Sequence, residues 1–463
     1  MKNSHLLIPI LFLSLITSLL GKKPNIVIVI TDDQGYGDLG CTGNPVINTP
    51  HTDKLANESV WLTDYHVAPT CSPTRAALMS GHWTNRTGVW HTIMGRSMLR
   101  ANEGTLGQFF KENGYETGMF GKWHMGGQRN VADAPPISDY GFDQSLTNFE
   151  GMGPKLLPLT LKPGQDPKKP GRILGHAEIL GKGVKWMQRS KITEGFVDAA
   201  IPFIKKAKKE KKPFYVNLWP DDVHTPFWPP VDQWRDGSKR QLFLSVLEEM
   251  DRQLGKLFDH IHNDPALANN TIILACSDNG PEQGAGVAGP FRGYKTHLFE
   301  GGIRSSLVAW APKLMADKAE GTINQKSIFS AIDLVPTLLE ITGTKAPKNV
   351  KFDGESLPDV LLGKSNASRK QDILFRRPPD RDSFYGVKDL PDLAIRSGKW
   401  KLLCEYDGSD ALLFDLTTDR AEKNNLAPKH PKVVKELSQK VIAWHKSMPP
   451  DNGPQMVGNS KKK

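Results

Sequence analysis

Residues 25–30 read NIVIVI and run straight into Thr31-Asp32-Asp33. Five consecutive β-branched residues without polar alternation describe a strand buried on both faces. Strands of this kind lie at the centre of parallel sheets, and polar residues at their C-terminal ends are where such sheets keep their ligands. Three later stretches repeat the grammar. Residues 117–120 lead into Gly121-Lys122-Trp123-His124, residues 214–219 into Pro220-Asp221-Asp222-Val223-His224, and residues 271–275 into Cys276-Ser277-Asp278-Asn279-Gly280. Helical patterns lie between them, over 242–260 and 328–342. Strands alternating with helices in this way predict one large α/β domain, a mostly parallel sheet flanked by helices.

The rest of the chain frames that domain. Its 463 residues are 38% hydrophobic, 24% charged and 8% aromatic, which excludes a wholly disordered chain and a multi-span membrane protein. Sixty Lys and Arg against fifty Asp and Glu leave +10, a field that favours anionic partners. The lysine run at 205–212 reads as a solvated helix face and the one at 461–463 as a frayed tail. Residues 1–21 read as a secretory signal: Lys2, a mostly apolar run at 6–20, then Gly21. Export to the periplasm or the extracellular space is expected, with no stable membrane association once the signal is cleaved. Residues 153–190, rich in Pro, Gly and Lys, read as a surface excursion. The α/β domain is then 22–345. Short strand-like pieces and a helical stretch at 432–446 make 346–448 a smaller antiparallel sheet with a closing helix, and 449–463 is a polar basic tail. Four cysteines form no disulfide framework. Cys276 reads as a buried thiol, and Cys41 and Cys404 could pair.

Asp32-Asp33 and Asp278-Asn279 both follow buried strands, so their oxygens could converge at one sheet edge. Carboxylates and an amide carbonyl without His suit a hard cation such as Ca²⁺ or Mg²⁺; read singly, each pair could equally cap a loop. Cys71 opens CSPTRAALMSG, in which Ser72 reads as an N-cap, Pro73 as the first helical residue and Gly81 as the stop. The thiol is thus expected just before a helix N-terminus. There it reads either as a thiolate nucleophile of lowered pKa or as a structural cysteine. Arg75, one turn on, can return to the same anion or to residue 71.

Cys71-Ser72-Pro73-Thr74-Arg75 followed by AALMSG resembles the signature of the type I sulfatases, in which this cysteine is oxidised to formylglycine. The opening NIVIVITDDQGYGDLGC, GKWHMG at 121–126, SDNG at 277–280, GYKTHLFEGGIR at 293–304 and FDLTTDRAEKNNLA at 414–427 resemble the same family in order and spacing. The resemblance implies an alkaline-phosphatase-like fold and a catalytic domain over 22–345. It also implies a single Ca²⁺ held by Asp32, Asp33, residue 71, Asp278 and Asn279. Formylglycine hydrates to a gem-diol: one hydroxyl attacks sulfur, and the other lets the intermediate collapse to aldehyde and free sulfate. Lys122 and His124 are two apart, so an extended segment would turn both toward residue 71.

By resemblance Lys122 contacts formylglycine and sulfate, His124 accepts the proton at collapse, and His224 binds sulfate and protonates the leaving alcohol. Lys295 holds a sulfate oxygen, and Arg75 stabilises the oxygens of residue 71. The family often has proline where this chain has Val223. The expected activity is an exported sulfatase acting on a sulfated carbohydrate or aryl sulfate, matured by a formylglycine-generating enzyme and binding no nucleic acid. A phosphate or phosphonate ester hydrolase of the same superfamily and a non-catalytic polyanion-binding protein are the alternatives.

Overall fold

The computed structural model describes residues 22–92, 96–126, 134–162, 164–172, 183–377 and 390–451. The expected signal at 1–21 and residues 452–463 of the tail lie outside them. The larger sheet contains β1 (Asn25–Thr31), β2 (Val60–His66), β3 (Glu116–Lys122), β4 (Gln144–Asn148), β5 (Lys155–Thr160) and β6 (Gly171–Arg172). It continues with β7 (Val184–Gln188), β8 (Phe214–Trp219), β9 (Thr271–Ser277), β10 (Arg304–Trp310), β11 (Ile323–Asn324) and β12 (Phe329–Ser330). Among the described residues the sheet is therefore 12-stranded, in the order β11-β2-β10-β9-β1-β8-β3-β4-β5-β6, with β12 also on β2 and β7 on β5.

The opening strand explains the layers. Side chains alternate across a strand, so Ile26, Ile28 and Ile30 enter one core with the helices Cys71–Ser80 and Leu334–Thr342. Val27 and Val29 enter the other, with the helices Ile192–Lys209 and Lys239–His262. Each such side chain contributes about 1.5–3 kcal/mol on full burial, which favours a central place for this strand. β9, β1, β8 and β3 are parallel neighbours, so the polar residues that follow them share one edge. β10 is antiparallel to both β9 and β2. The chain leaving β2 toward Cys71 therefore arrives at that edge, and the segment entering β10 departs from it.

A second sheet, antiparallel, is formed by β13 (Ile373–Arg376), β14 (Leu393–Ser397), β15 (Trp400–Cys404) and β16 (Leu412–Asp415). Leu393, Ile395, Leu402 and Leu413 pack on Leu437 and Val441 of the helix Pro431–Ser447, while Ala394, Leu403 and Phe414 join the core of the larger sheet. Among the described residues no helix is long and apolar enough to cross a membrane.

Three expectations are corrected. The stretch at 153–190 contributes three strands to the sheet: β5 and β7 extend the parallel array, β6 pairs antiparallel with β5, and Lys155, Leu156, Leu157 and Leu161 are buried. Its prolines and lysines obscured the leucines that make it an edge. Cys41 and Cys404 are free; the first lies beside Asp53, and the second faces the C-terminal helix. The helical pattern at 328–342 begins as β12; the capping box of Ser330 and Asp333 then opens a 3-10 turn over Ala331–Asp333 that runs into the helix Leu334–Thr342.

The two sheets are joined by buried charge. Lys401 on β15 lies 2.8 Å from Glu300 and 2.9 Å from Glu422, and all three side chains are fully buried. Removing one partner of such a group leaves uncompensated charge. Lys401→Ala is expected to lower the unfolding free energy by about 3–5 kcal/mol, measured by urea denaturation followed by tryptophan fluorescence. A loss below about 1 kcal/mol, the scale of an exposed pair, would show that the bridge does not hold the sheets together.

Candidate active site

At the shared edge Asp32, Asp33, Asp278 and Cys71 each offer a ligand atom, all within 4.8 Å of one another, and every one of these residues is buried. Local backbone bonds set the arrangement. Asp278 N–H donates to Thr31 O (3.0 Å), Asp33 N–H donates to Asp278 Oδ1 (3.2 Å), and Asp33 is left-handed at φ 55°. Asn279 Nδ2 donates to Asp33 Oδ1 at 2.8 Å.

Each carboxylate has its own cation. Lys122 Nζ donates to Asp32 Oδ2 (2.5 Å) and Lys295 Nζ to Asp33 Oδ2 (2.6 Å). Arg75 gives Nε and Nη2 to Asp278 Oδ2 (3.0 and 2.6 Å) and Nη1 to the Lys122 carbonyl (2.8 Å). Burial alone would raise Asp32 and Asp33, yet Lys122 acting on the first and Lys295 on the second hold both below the usual carboxylate range. At Asp278 burial and the charge of Asp32 outweigh Arg75, and its carboxyl is pushed up to about 7. Burial and the charges of Asp278 and Asp32 push the Cys71 thiol well above its ordinary value. Burial and the two carboxylates thus count against the thiolate reading.

The helix begins at Cys71 itself after an extended Thr70. Ser72 is no cap; its hydroxyl donates to the His124 carbonyl at 2.6 Å. Arg75 turns to the carboxylates, its nearest acceptors, rather than to residue 71. β3 ends at Lys122 and His124 is left-handed at φ 57°, so the segment is not extended through both, yet the Lys122 ammonium and the His124 ring meet the same Phe149 ring. His124 Nε2 faces the Thr92 carbonyl at 3.2 Å, and its buried Nδ1 makes no hydrogen bond among the described residues. Burial and Lys122 hold His124 well below the usual histidine range.

His224, 21% exposed, places Nε2 3.8 Å from Asp33 Oδ2 and Nδ1 2.7 Å from the Thr225 carbonyl. The protein around it, with Lys122 and Lys295, lowers its pKa too. Val223, where the family often has proline, is fully buried in the second core. Behind this loop Arg189 pairs with Asp221 at 2.8 Å, and Thr193 donates to Asp222.

The structure thus brings Cys71, Arg75, Lys122, His124, His224, Lys295, Asp32, Asp33, Asp278 and Asn279 to one edge. Sequence reasoning missed Thr92, Phe149, Glu150 and Arg189. Phe149 lies in NFEGMG, a string without motif content, and only its contacts mark it.

The donor set fits a hard divalent cation. Asp32 Oδ1 and Asn279 Oδ1 are buried without hydrogen-bond partners, beside two further carboxylates. Adding Ca²⁺ to chelator-treated protein is expected to raise the thermal midpoint by a few degrees. At roughly 100 times Kd a bound ligand contributes about 2.7 kcal/mol. Asp278→Ala should abolish the response, and an equal shift in wild type and variant would place the cation elsewhere.

The family described as Sulfatase matches residues 24–344, and one described as the C-terminal region of N-sulphoglucosamine sulphohydrolase matches 291–447. Arylsulfatase G of Rattus norvegicus is 29% identical over 95% of this chain and 89% of its own. The N-acetylgalactosamine-6-O-sulfatase of Bacteroides thetaiotaomicron is 29% identical over 90% and 92%. Among solved structures Ps i-CgsB, in complex with k-i-k-neocarrahexaose, superposes with a TM-score of 0.78 at 24% identity, covering 94% of this chain and 95% of that one.

Proposed function

The chain belongs to the sulfatase family and is a sulfuric ester hydrolase; from that premise we propose that it is exported and removes sulfate from a carbohydrate. Cys71 is matured to formylglycine, and one Ca²⁺ is held by Asp32, Asp33, Asp278, Asn279 and residue 71. The observation that carries this reading is the setting of Cys71. It is a buried thiol held protonated at a helix N-terminus, 3.8 Å from the Asp33 carboxylate and beside a cluster held by Arg75, Lys122 and Lys295. A thiol so placed is a poor nucleophile. Its oxidised, hydrated form supplies one hydroxyl to attack sulfur and a second to expel the sulfate. A divalent cation, when bound, supplies charge that favours ionisation of a hydroxyl and attracts a sulfate oxygen.

The chain's own groups supply the rest. Lys122 and Lys295 hold sulfate oxygens from two sides, and the helix end at residue 71 adds N–H donors. Arg75, fixed on Asp278 and the Lys122 carbonyl, keeps the lysine-bearing strand end against residue 71. Nε2–H of His124 donates to the Thr92 carbonyl, which fixes the tautomer and leaves Nδ1 to accept the proton given up at collapse. His224 donates Nδ1–H to the Thr225 carbonyl and carries the leaving alcohol's proton on Nε2. A carbohydrate substrate is supported by the N-acetylgalactosamine-6-O-sulfatase relative and by the oligosaccharide bound in Ps i-CgsB. The positive net charge suits a polyanionic glycan.

Sulfate release is measured by ion chromatography on sulfated galactans, chondroitin, heparan fragments and nitrophenyl sulfate, with conversion of Cys71 confirmed by peptide mass. Release is expected from at least one glycan and none from a folded Cys71→Ala variant. Wild-type turnover in that variant would remove residue 71 from the chemistry, and cleavage of matched phosphate esters alone would reassign the enzyme.

A further inference from the structure

Phe149 stands among three groups that the proposed reaction uses. Lys122 Nζ lies 4.5 Å from its ring centroid; the ring of His124 is 4.8 Å away and that of His224 5.7 Å, the last met edge-on. A cation over the face and rings at tilted or edge geometry are favourable arrangements for an aromatic quadrupole.

The backbone is bent to put the ring there. Phe149 and Glu150 are both left-handed, at φ 54° and 62°, and such a conformation costs about 1–3 kcal/mol per non-glycine residue. It is held by bonds that continue the β3–β4 pairing past its last register. Trp123 N–H donates to Asn148 O (3.2 Å) and His124 N–H to Phe149 O (2.8 Å). Gly126 closes the hook, since a Cβ there would come within 1.8 Å of Glu150 O. Phe149 is only partly buried and belongs to none of the apolar clusters among the described residues. The bend buries Glu150, whose carboxylate accepts from Ser97 at 3.1 Å, but it gives the Phe149 ring no place in those clusters; what the ring touches is Lys122, His124 and His224.

We propose that Phe149 is a positioning residue for this reaction. Its ring holds His124 and His224 with Nδ1 of the first and Nε2 of the second toward the sulfate group, and shields the Lys122 ammonium from water. The inference rests on the reading of these histidines as the proton-transfer pair. His224 sits on a loop and is the most exposed of the three, so it gains the most freedom when the ring is lost. Displacing a reacting group by 1 Å costs on the order of 10²-fold.

Steady-state kinetics of Phe149→Ala, Phe149→Leu and Phe149→Tyr on the responsive sulfated sugar test it, with thermal midpoints as the folding control. In the Ala and Leu variants kcat is expected to fall about 10–100-fold with KM within about 3-fold of wild type. Phe149→Tyr, which keeps the aromatic ring, should retain both constants within about 3-fold. A Leu variant with wild-type kcat overturns the proposal. So does a Tyr variant as impaired as Leu, or a rise in KM alone. If the Ala variant does not fold, the comparison of Leu with Tyr decides. A converted wild type that releases no sulfate refutes the function and this inference together, whereas an active wild type beside an unimpaired Leu variant refutes the inference alone.

Discussion

Three carboxylates buried side by side govern this structure. Asp32, Asp33 and Asp278 lie in a region from which water is excluded, where an unpaired charge is strongly disfavoured. Each has a cation in direct contact, Lys122, Lys295 and Arg75 respectively, and Arg75 reaches Asp32 as well at 3.7 Å. These come from the end of β3, from the segment before β10, and from the helix after β2. No one of them can be buried unless strand order, helix and loop are all in place together, so the site and the fold share one set of constraints. The same cations that make the acidic cluster tolerable are those to which the proposed reaction gives the task of attracting an anionic ester.

The smaller sheet serves this arrangement from behind. Glu300 lies five residues after Lys295, and its N–H donates to Glu422 at 2.7 Å while its carboxylate meets Lys401 and Arg304. The turn there is packed as closely as backbone allows. A Cβ on Gly301 would come within 2.4 Å of Gly293 O, and one on Gly302 within 2.2 Å of His297 O. The EGG in the FEGGIR string is therefore a requirement of close approach, and it presses the lysine-bearing segment onto Asp33.

Five of the ten left-handed non-glycine residues among the described residues lie at the same place. Asp33, His124, Phe149, Glu150 and Thr296 are left-handed without being glycine, and each lies in the acidic cluster, against it, or beside a residue that is. Residues hold such conformations only where their surroundings impose them. Here the imposing elements are the parallel strand ends and the hydrogen bonds that tie neighbouring loops to one another.

Much of this was legible from the residues in order. NIVIVI could only be a strand buried on both faces, and the polar pairs after it and after TIILACS had to emerge at strand ends. The helix that stops at Gly81 was readable, though not its start at Cys71, and so was the closing helix, expected at 432–446 and found at Pro431–Ser447. What the sequence left open depended on atoms far apart in the chain. The Cys71 thiol is pushed above its ordinary range because it is buried and because Asp278 and Asp32 stand beside it. Lys122 and His124 meet the same Phe149 ring although the strand stops between them, and the Pro-rich stretch joins the sheet because β5 finds neighbours in β4 and β7. Phe149 has no local signature at all. Local pattern decides which residues want to be buried and where a strand must end; only the packed fold decides which charges meet, because electrostatic energies depend on distance and burial that no linear spacing records.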